Sequence, residues 1–232
     1  MFNFDDVKTT SAVNSSVASL KPYGIYKVKF DGLEQTTLQG KKDPTASYSV
    51  MNMKFVSDEG NFTKNLFIPS SEDDGVRPEY TRDDGTSYFR PSRFENYKWT
   101  LLQLVQVINP EGYKKIQANS GKIKSMDEFN KFIVAIAEQK KGAEVYLKLI
   151  GRNVNNADGT TSTYAEIPNV CGLSHKNELF IVNFVSNNPN TLKFSAYEAG
   201  QKERYEKAVP TAMPTTTSPD TEEEGLDLSS LL

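Results

Sequence analysis

The sequence predicts a mostly β domain with a helical insertion, and three observations carry that expectation. Apolar residues alternate with period two in two separate blocks, within residues 23–68 and 143–185. Between the blocks lie two segments with helical spacing, each with its own start signal. Asp-Gly and Asn-rich turns punctuate the alternating segments. Segregated strand blocks with helices between them argue against a parallel doubly wound sheet.

In chain order, residues 1–21 form an N-terminal extension ahead of a domain over 22–209. Residues 23–34 read as a strand with Tyr26, Val28 and Phe30 on one face and Ile25, Lys27 and Lys29 on the other. Residues 47–57 alternate Met51, Met53 and Phe55 against Tyr48, Val50, Asn52 and Lys54. Asp58-Glu59-Gly60-Asn61 has hairpin composition, and residues 62–68 form the next strand, stopped by Pro69. The Asp84-Gly85 pair inside residues 79–90 predicts a protruding hairpin. The helical insertion spans about residues 92–141. Ser92 and Glu95 make a capping box ahead of a stripe through Phe94, Tyr97, Leu101, Leu104, Val105 and Ile108, and Asn109-Pro110 ends that helix. Ser125 and Glu128 repeat the pattern ahead of Phe129, Phe132, Ile133 and Ile136, with Gly142 closing the helix. Strands then return at 143–151 and 161–168 around Asp158-Gly159, with a further one at 178–185 and a short charged helix at 197–208. Strands first, helices next and strands again fit a small Greek-key barrel, an OB-fold-like five-stranded barrel whose helical element lies between the third and fourth strands. An α+β antiparallel sheet with helices on one face is the alternative.

Composition excludes several function classes. The chain has 232 residues, 37% apolar and 25% charged, as a soluble globular protein does. A single cysteine, Cys171, and a single histidine, His175, leave no intrachain disulfide and no Cys/His metal cluster. Their spacing of four suits a loop better than a nucleophile–base pair, which distant segments usually supply. The acidic pairs Asp73-Asp74 and Asp83-Asp84 fall in turn-like segments, where turn chemistry and solvation account for them. Phosphate-loop, dinucleotide-binding, nucleophile-elbow and zinc-protease motifs are all absent from the sequence. No catalytic constellation, cofactor or metal is therefore expected. No apolar run reaches the roughly 20 residues that cross a bilayer, and residues 1–14 do not read as a signal peptide, so a cytoplasmic, non-membrane protein is expected.

The net charge of −3 conceals a division. Asp220, Glu222, Glu223, Glu224 and Asp227 give residues 210–232 a charge of −5 with no Lys or Arg, which leaves residues 1–209 at +2. Pro210, Pro214 and a Thr/Ser cluster predict a disordered linker. The chain then ends on apolar and acidic residues together, through Leu226, Asp227, Leu228, Leu231 and Leu232. Such a segment is a solvated tail, a docking tag for a partner, or a competitor for the protein's own basic surface.

One internal segment stands out. In residues 77–94, Arg77, Arg82, Arg90 and Arg93 interleave with Tyr80, Tyr88, Phe89 and Phe94. Arginines neutralise phosphates, and aromatic faces stack on unpaired bases. The opposing reading packs Phe89 in the core, as it does Phe94, and pairs the arginines with Glu79, Asp83, Asp84 and Glu95. Tyr48, Lys54 and Lys64, with Lys27 and Lys29, are expected on strand faces away from the core, where the second and third strands of an OB-fold usually hold ligands. Lys114, Lys115, Lys122, Lys124, Lys131, Lys140 and Lys141 form a basic cluster on the helices, a phosphate site, a tail-docking site or an ordinary solvated helix pair. Trp99 is expected in the core.

This layout, a small β-barrel with a basic-aromatic hairpin, a Pro/Thr linker and an acidic tip, resembles the single-stranded-DNA-binding proteins of bacteria and bacteriophages, most closely the divergent phage type. Bacterial members end in acidic residues followed by Pro-Phe; here Leu231-Leu232 stands instead. The resemblance implies sequence-independent coating of single-stranded DNA in replication, recombination and repair, in the host cytoplasm for a phage protein. It also implies recruitment of replication or recombination proteins by the tail residues Glu222, Glu223, Glu224, Asp227, Leu231 and Leu232, and allows a homo-oligomer. A protein-interaction or virion structural module without nucleic-acid binding is the competing expectation.

Overall fold

A computed structural model describes residues 18–40, 45–71, 80–88, 91–156, 158–169, 179–184 and 191–208. The first three strands, β1 (Gly24–Gln39), β2 (Ser47–Ser57) and β3 (Gly60–Phe67), form the expected meander. A two-residue-strand hairpin, β4 (Tyr80–Thr81) and β5 (Ser87–Tyr88), makes a separate small sheet around Asp84-Gly85. Helices α1 (Arg93–Ile108), α2 (Pro110–Asn119) and α3 (Met126–Glu138) follow, then β6 (Glu144–Asn155), β7 (Thr161–Glu166), β8 (Ile181–Asn183) and α4 (Ala196–Ala208).

The main sheet has six antiparallel strands in the order β3-β2-β1-β6-β7, with β8 also paired to β6. The barrel expected from the sequence is not closed. No ladder joins β3 to β7 among the described residues, so the sheet is open and agrees with the α+β alternative. Strand β1 is the hinge of the arrangement. Its first half pairs with β6 and its second half with β2, and the register shifts between Phe30 and Gly32. Gly32 takes φ +133°, a value L residues avoid, and a Cβ there would meet Glu138 Oε1 at 2.9 Å. The same oxygen accepts the N–H of Leu33 at 2.7 Å, so α3 satisfies a donor at the bulge.

The period-two faces predicted for β1 and β2 are the ones buried. Val28, Phe30, Met51, Met53 and Phe55 lie in the core with Val145, Leu147 and Leu149 of β6. Phe30 and Phe55 meet edge-to-face at 6.0 Å. The helices cover this face through Leu101, Leu104, Val105, Ile133 and Ile136. The first predicted capping box forms, with Ser92 Oγ accepting the Glu95 N–H at 3.0 Å and the Glu95 carboxylate accepting the Ser92 N–H. The second forms only in half, since Ser125 Oγ accepts the Glu128 N–H but the Glu128 carboxylate accepts the Lys124 N–H instead of that of Ser125. Trp99 packs partly buried against the core, and Phe94 is half-buried under the Lys98 ammonium. One helix was not expected. Asn109-Pro110 ends α1 and also starts α2, because Asn109 Oδ1 caps the Gly112 N–H and proline suits a first helical turn.

Helix α4 sits against β6 with little apolar support, since Glu198 is its one buried residue. The Glu198 carboxylate receives Lys148 Nζ at 2.8 Å and the Ser195 N–H at 2.7 Å, and Lys148 Nζ also donates to the Lys193 carbonyl. Tyr205 of α4 packs on Tyr23 at 5.6 Å between ring centres.

Candidate nucleic-acid interface

Alternation on β2 places Tyr48, Asn52 and Lys54 on the face opposite Met51, Met53 and Phe55, and Val50, which shares their parity, is itself fully buried. The register of β3 sets Phe67 opposite Val50, Asn65 opposite Asn52 and Thr63 opposite Lys54. Tyr48 and Phe67 are 48% and 59% exposed, and their rings meet edge-to-face at 6.0 Å and 87°. An exposed aromatic pair of this kind presents π-faces to solvent on a rigid sheet.

Beside this pair a cleft of ≈ 1370 Å³ runs along the seam between β3 and β7. Tyr48 and Phe67 line its rim, with Lys64, Arg93, Arg152 and Glu166 along its walls. The first two turns of α1 close one side through Arg93, Asn96, Tyr97 and Thr100, which share a helix face by their spacing. Tyr97 is buried in the floor and donates to Asn130 Oδ1 at 2.6 Å; burial holds its hydroxyl pKa well above the usual tyrosine range.

Electrostatics along the cleft are partly self-cancelled. Lys64 Nζ lies 2.6 Å from Glu166 Oε1, and an Arg152 guanidinium nitrogen lies 4.0 Å from Glu166 Oε2. Lys64 is a correction to the sequence expectation. It shares the inward parity of Phe62 and Leu66 rather than the outer face, and reaches the seam as an ion-paired, mostly covered side chain.

The candidate residues are only partly assembled. Tyr48, Lys64 and Arg93 meet at the cleft. Lys54 shares the outer face of β2 with Tyr48 but stands outside the cleft, 2.5 Å from Glu34. Hydrogen bonding to Glu34 raises the Lys54 pKa, and the same bond lowers that of Glu34. Arg82 is exposed on the β4–β5 hairpin, where its N–H donates to Thr86 and its carbonyl accepts from Gly85. Tyr80 and Tyr88 are register partners across that hairpin. Arg77, Phe89, Arg90, Cys171, His175, the Asp73-Asp74 pair and the tail residues Glu222, Glu223, Glu224, Asp227, Leu231 and Leu232 lie outside the described residues.

Three exposed groups escaped the sequence reading: Phe67, Arg152 and Tyr164. Phe67 has the parity of Thr63 and Asn65, and Tyr164 that of Ser162 and Glu166. A lone aromatic on a polar strand face was a legible signal in both cases. Arg152 and Tyr164 are register partners that carry the cleft face outward along the β6–β7 ribbon.

The helical lysine cluster is partly neutralised, with Lys114 on Glu111, Lys131 on Asp127 and Lys141 on Asp31. Among the described residues no group of three or more Cys, His, Asp or Glu is placed to hold a metal, and no helix is long and apolar enough to cross a membrane. Comparison with known proteins finds no matching family model, no matching curated protein and no matching solved structure.

Proposed function

We propose that the chain is a sequence-independent single-stranded-DNA-binding protein that acts by binding, without catalysis. The observation that carries this reading is the exposed Tyr48–Phe67 pair opening onto a wide cleft walled by Lys64, Arg93 and Arg152. Stacked bases would occupy the aromatic pair, and the sugar–phosphate backbone would follow the cations toward Tyr164 on the β6–β7 ribbon. On the hairpin, Tyr80, Tyr88 and Arg82 would extend the footprint.

The strand order supports an OB-fold-like reading of the sheet. Strand β1 pairs with the second strand at one end and with the first post-helical strand at the other, and the helices enter between the third and fourth main-sheet strands. Four successive antiparallel pairings make β3 and β7 run the same way, and a side-chain bridge, Lys64–Glu166, spans the seam that a closed barrel would zip. Ligand on the faces of the second and third strands is the usual OB-fold arrangement. In free protein the −5 tail would compete for this surface, and in the DNA complex it would recruit replication or recombination proteins.

A salt titration tests the reading. Log affinity for oligo-dT should fall linearly with log salt, with a slope of about −0.7 per phosphate neutralised. Tyrosine fluorescence should quench on binding. Absence of micromolar binding at low salt removes the reading and leaves a protein-interaction or virion structural module as the better account.

A further inference from the structure

The Lys64–Glu166–Arg152 trio sits in the middle of the cleft wall and has the make-up of an anion site that already holds an anion. Two donors bond Glu166 Oε1, Lys64 Nζ at 2.6 Å and the Ile167 N–H at 3.0 Å, and the exposed Arg152 guanidinium stands 4.0 Å from Oε2 as a second, looser cation. Glu166 and Lys64 are both largely covered, and their strands are joined here by side chains rather than by a ladder. A carboxylate carries one negative charge on two equivalent acceptor oxygens. A phosphodiester carries the same charge on two non-bridging oxygens.

We infer that Glu166 is an internal stand-in for a backbone phosphodiester, so that the cleft binds a strand by exchanging this carboxylate for a phosphate. The inference rests on the single-strand reading and deepens it. In the free protein the stand-in satisfies Lys64 and Arg152, which would otherwise face each other across the seam as like charges. On binding, a phosphodiester takes those donors and Glu166 turns toward solvent. The exchange makes the site's net contribution one positive charge instead of two. It also sets selectivity: an isolated weak anion gains nothing by displacing Glu166, whereas a polyanion already held on the aromatic rim does.

Glu166→Gln keeps the shape and, through its amide oxygen, an acceptor for Lys64 and the Ile167 N–H, while removing the competing charge. At about 50 mM salt its affinity for oligo-dT should rise roughly fivefold, the weight of one charge at close range in water, and its salt slope should steepen by about 0.7. Unchanged or weaker binding by a folded Glu166→Gln protein overturns the inference.

A second pair of variants decides the matter if that protein fails to fold. Lys64→Met alone leaves Glu166 facing the strand and should lose affinity. Lys64→Met with Glu166→Met restores the trio's original net charge with an apolar seam, a replacement that buried ion pairs tolerate, and should recover binding to near the parent level. A double variant no better than Lys64→Met overturns the inference. Wild-type protein run alongside separates the two claims. If it fails to bind oligo-dT, the single-strand reading itself falls. If it binds and the variants behave otherwise than stated, only the role of Glu166 falls.

Discussion

Tyr48→Ala should weaken oligo-dT binding while leaving the fold nearly intact, and the geometry allows both halves of that statement to be sized. Tyr48 stands half out of the sheet, so truncation removes little buried area; its main structural contact on the outer face is the edge-to-face pairing with Phe67 at 6.0 Å. Losing such a pair costs about 0.5–1.5 kcal/mol. A base stacked on the exposed ring is worth roughly 1–3 kcal/mol, about five- to 150-fold in Kd. Because the two rings touch, Phe67→Ala should not add fully to Tyr48→Ala: each truncation also releases the partner ring from its fixed orientation. Fluorescence anisotropy with labelled oligo-dT at one salt concentration reads the Kd, and a urea melt reads the stability. A Kd within twofold of wild type in the Tyr48→Ala, Phe67→Ala double variant, with the melt confirming a folded protein, refutes the aromatic rim as the binding platform.

Further outcomes follow from the same geometry. Lys148→Met leaves Glu198 buried without its cation, a loss of about 3–5 kcal/mol. Besides Glu198, helix α4 is held by the half-buried Tyr205 on Tyr23 and by no other buried residue. It should therefore detach, with hydrogen exchange rising across residues 196–208 while the sheet stays protected; continued protection of α4 refutes the clamp. Tyr97 has a raised pKa through burial, so the folded state keeps its proton where the unfolded chain releases it near pH 10. Its contribution is complete below that pH and is lost as the pH rises above it. Tyr97→Phe should flatten the alkaline limb of the stability profile, although it lowers stability at neutral pH by leaving Asn130 Oδ1 unpaired. Deleting residues 210–232 removes five negative charges and should tighten oligo-dT binding; unchanged or weaker affinity rules out tail competition.

How much of this was legible in the sequence depends on whether a signal was local. The meander, the Ser92/Glu95 capping box, the Ser125 N-cap and the Asp84-Gly85 hairpin were readable because each depends on residues a few positions apart. Helix α2 was missed because Pro110 carries two meanings, a stop for the helix before it and a start for the helix after it, and only the Asn109 side chain bonding to Gly112 distinguishes them. Whether the barrel closes was not legible at all, since it depends on how β3 and β7, the two edge strands, meet in space, and no local pattern in either strand encodes that.

Lys64 shows why the site was harder to read than the fold. Its charge suggests an outward face, whereas its parity with Phe62 and Leu66 points inward, and the structure follows the parity. A lysine can face inward near the open seam because its long stem carries its ammonium to Glu166, a residue on the opposite edge strand of the sheet. That partner is fixed by topology alone. A basic residue on an apolar strand parity is thus a pointer to an unseen acid, and where the two meet at a cleft they mark the place at which an external anion has something to compete for.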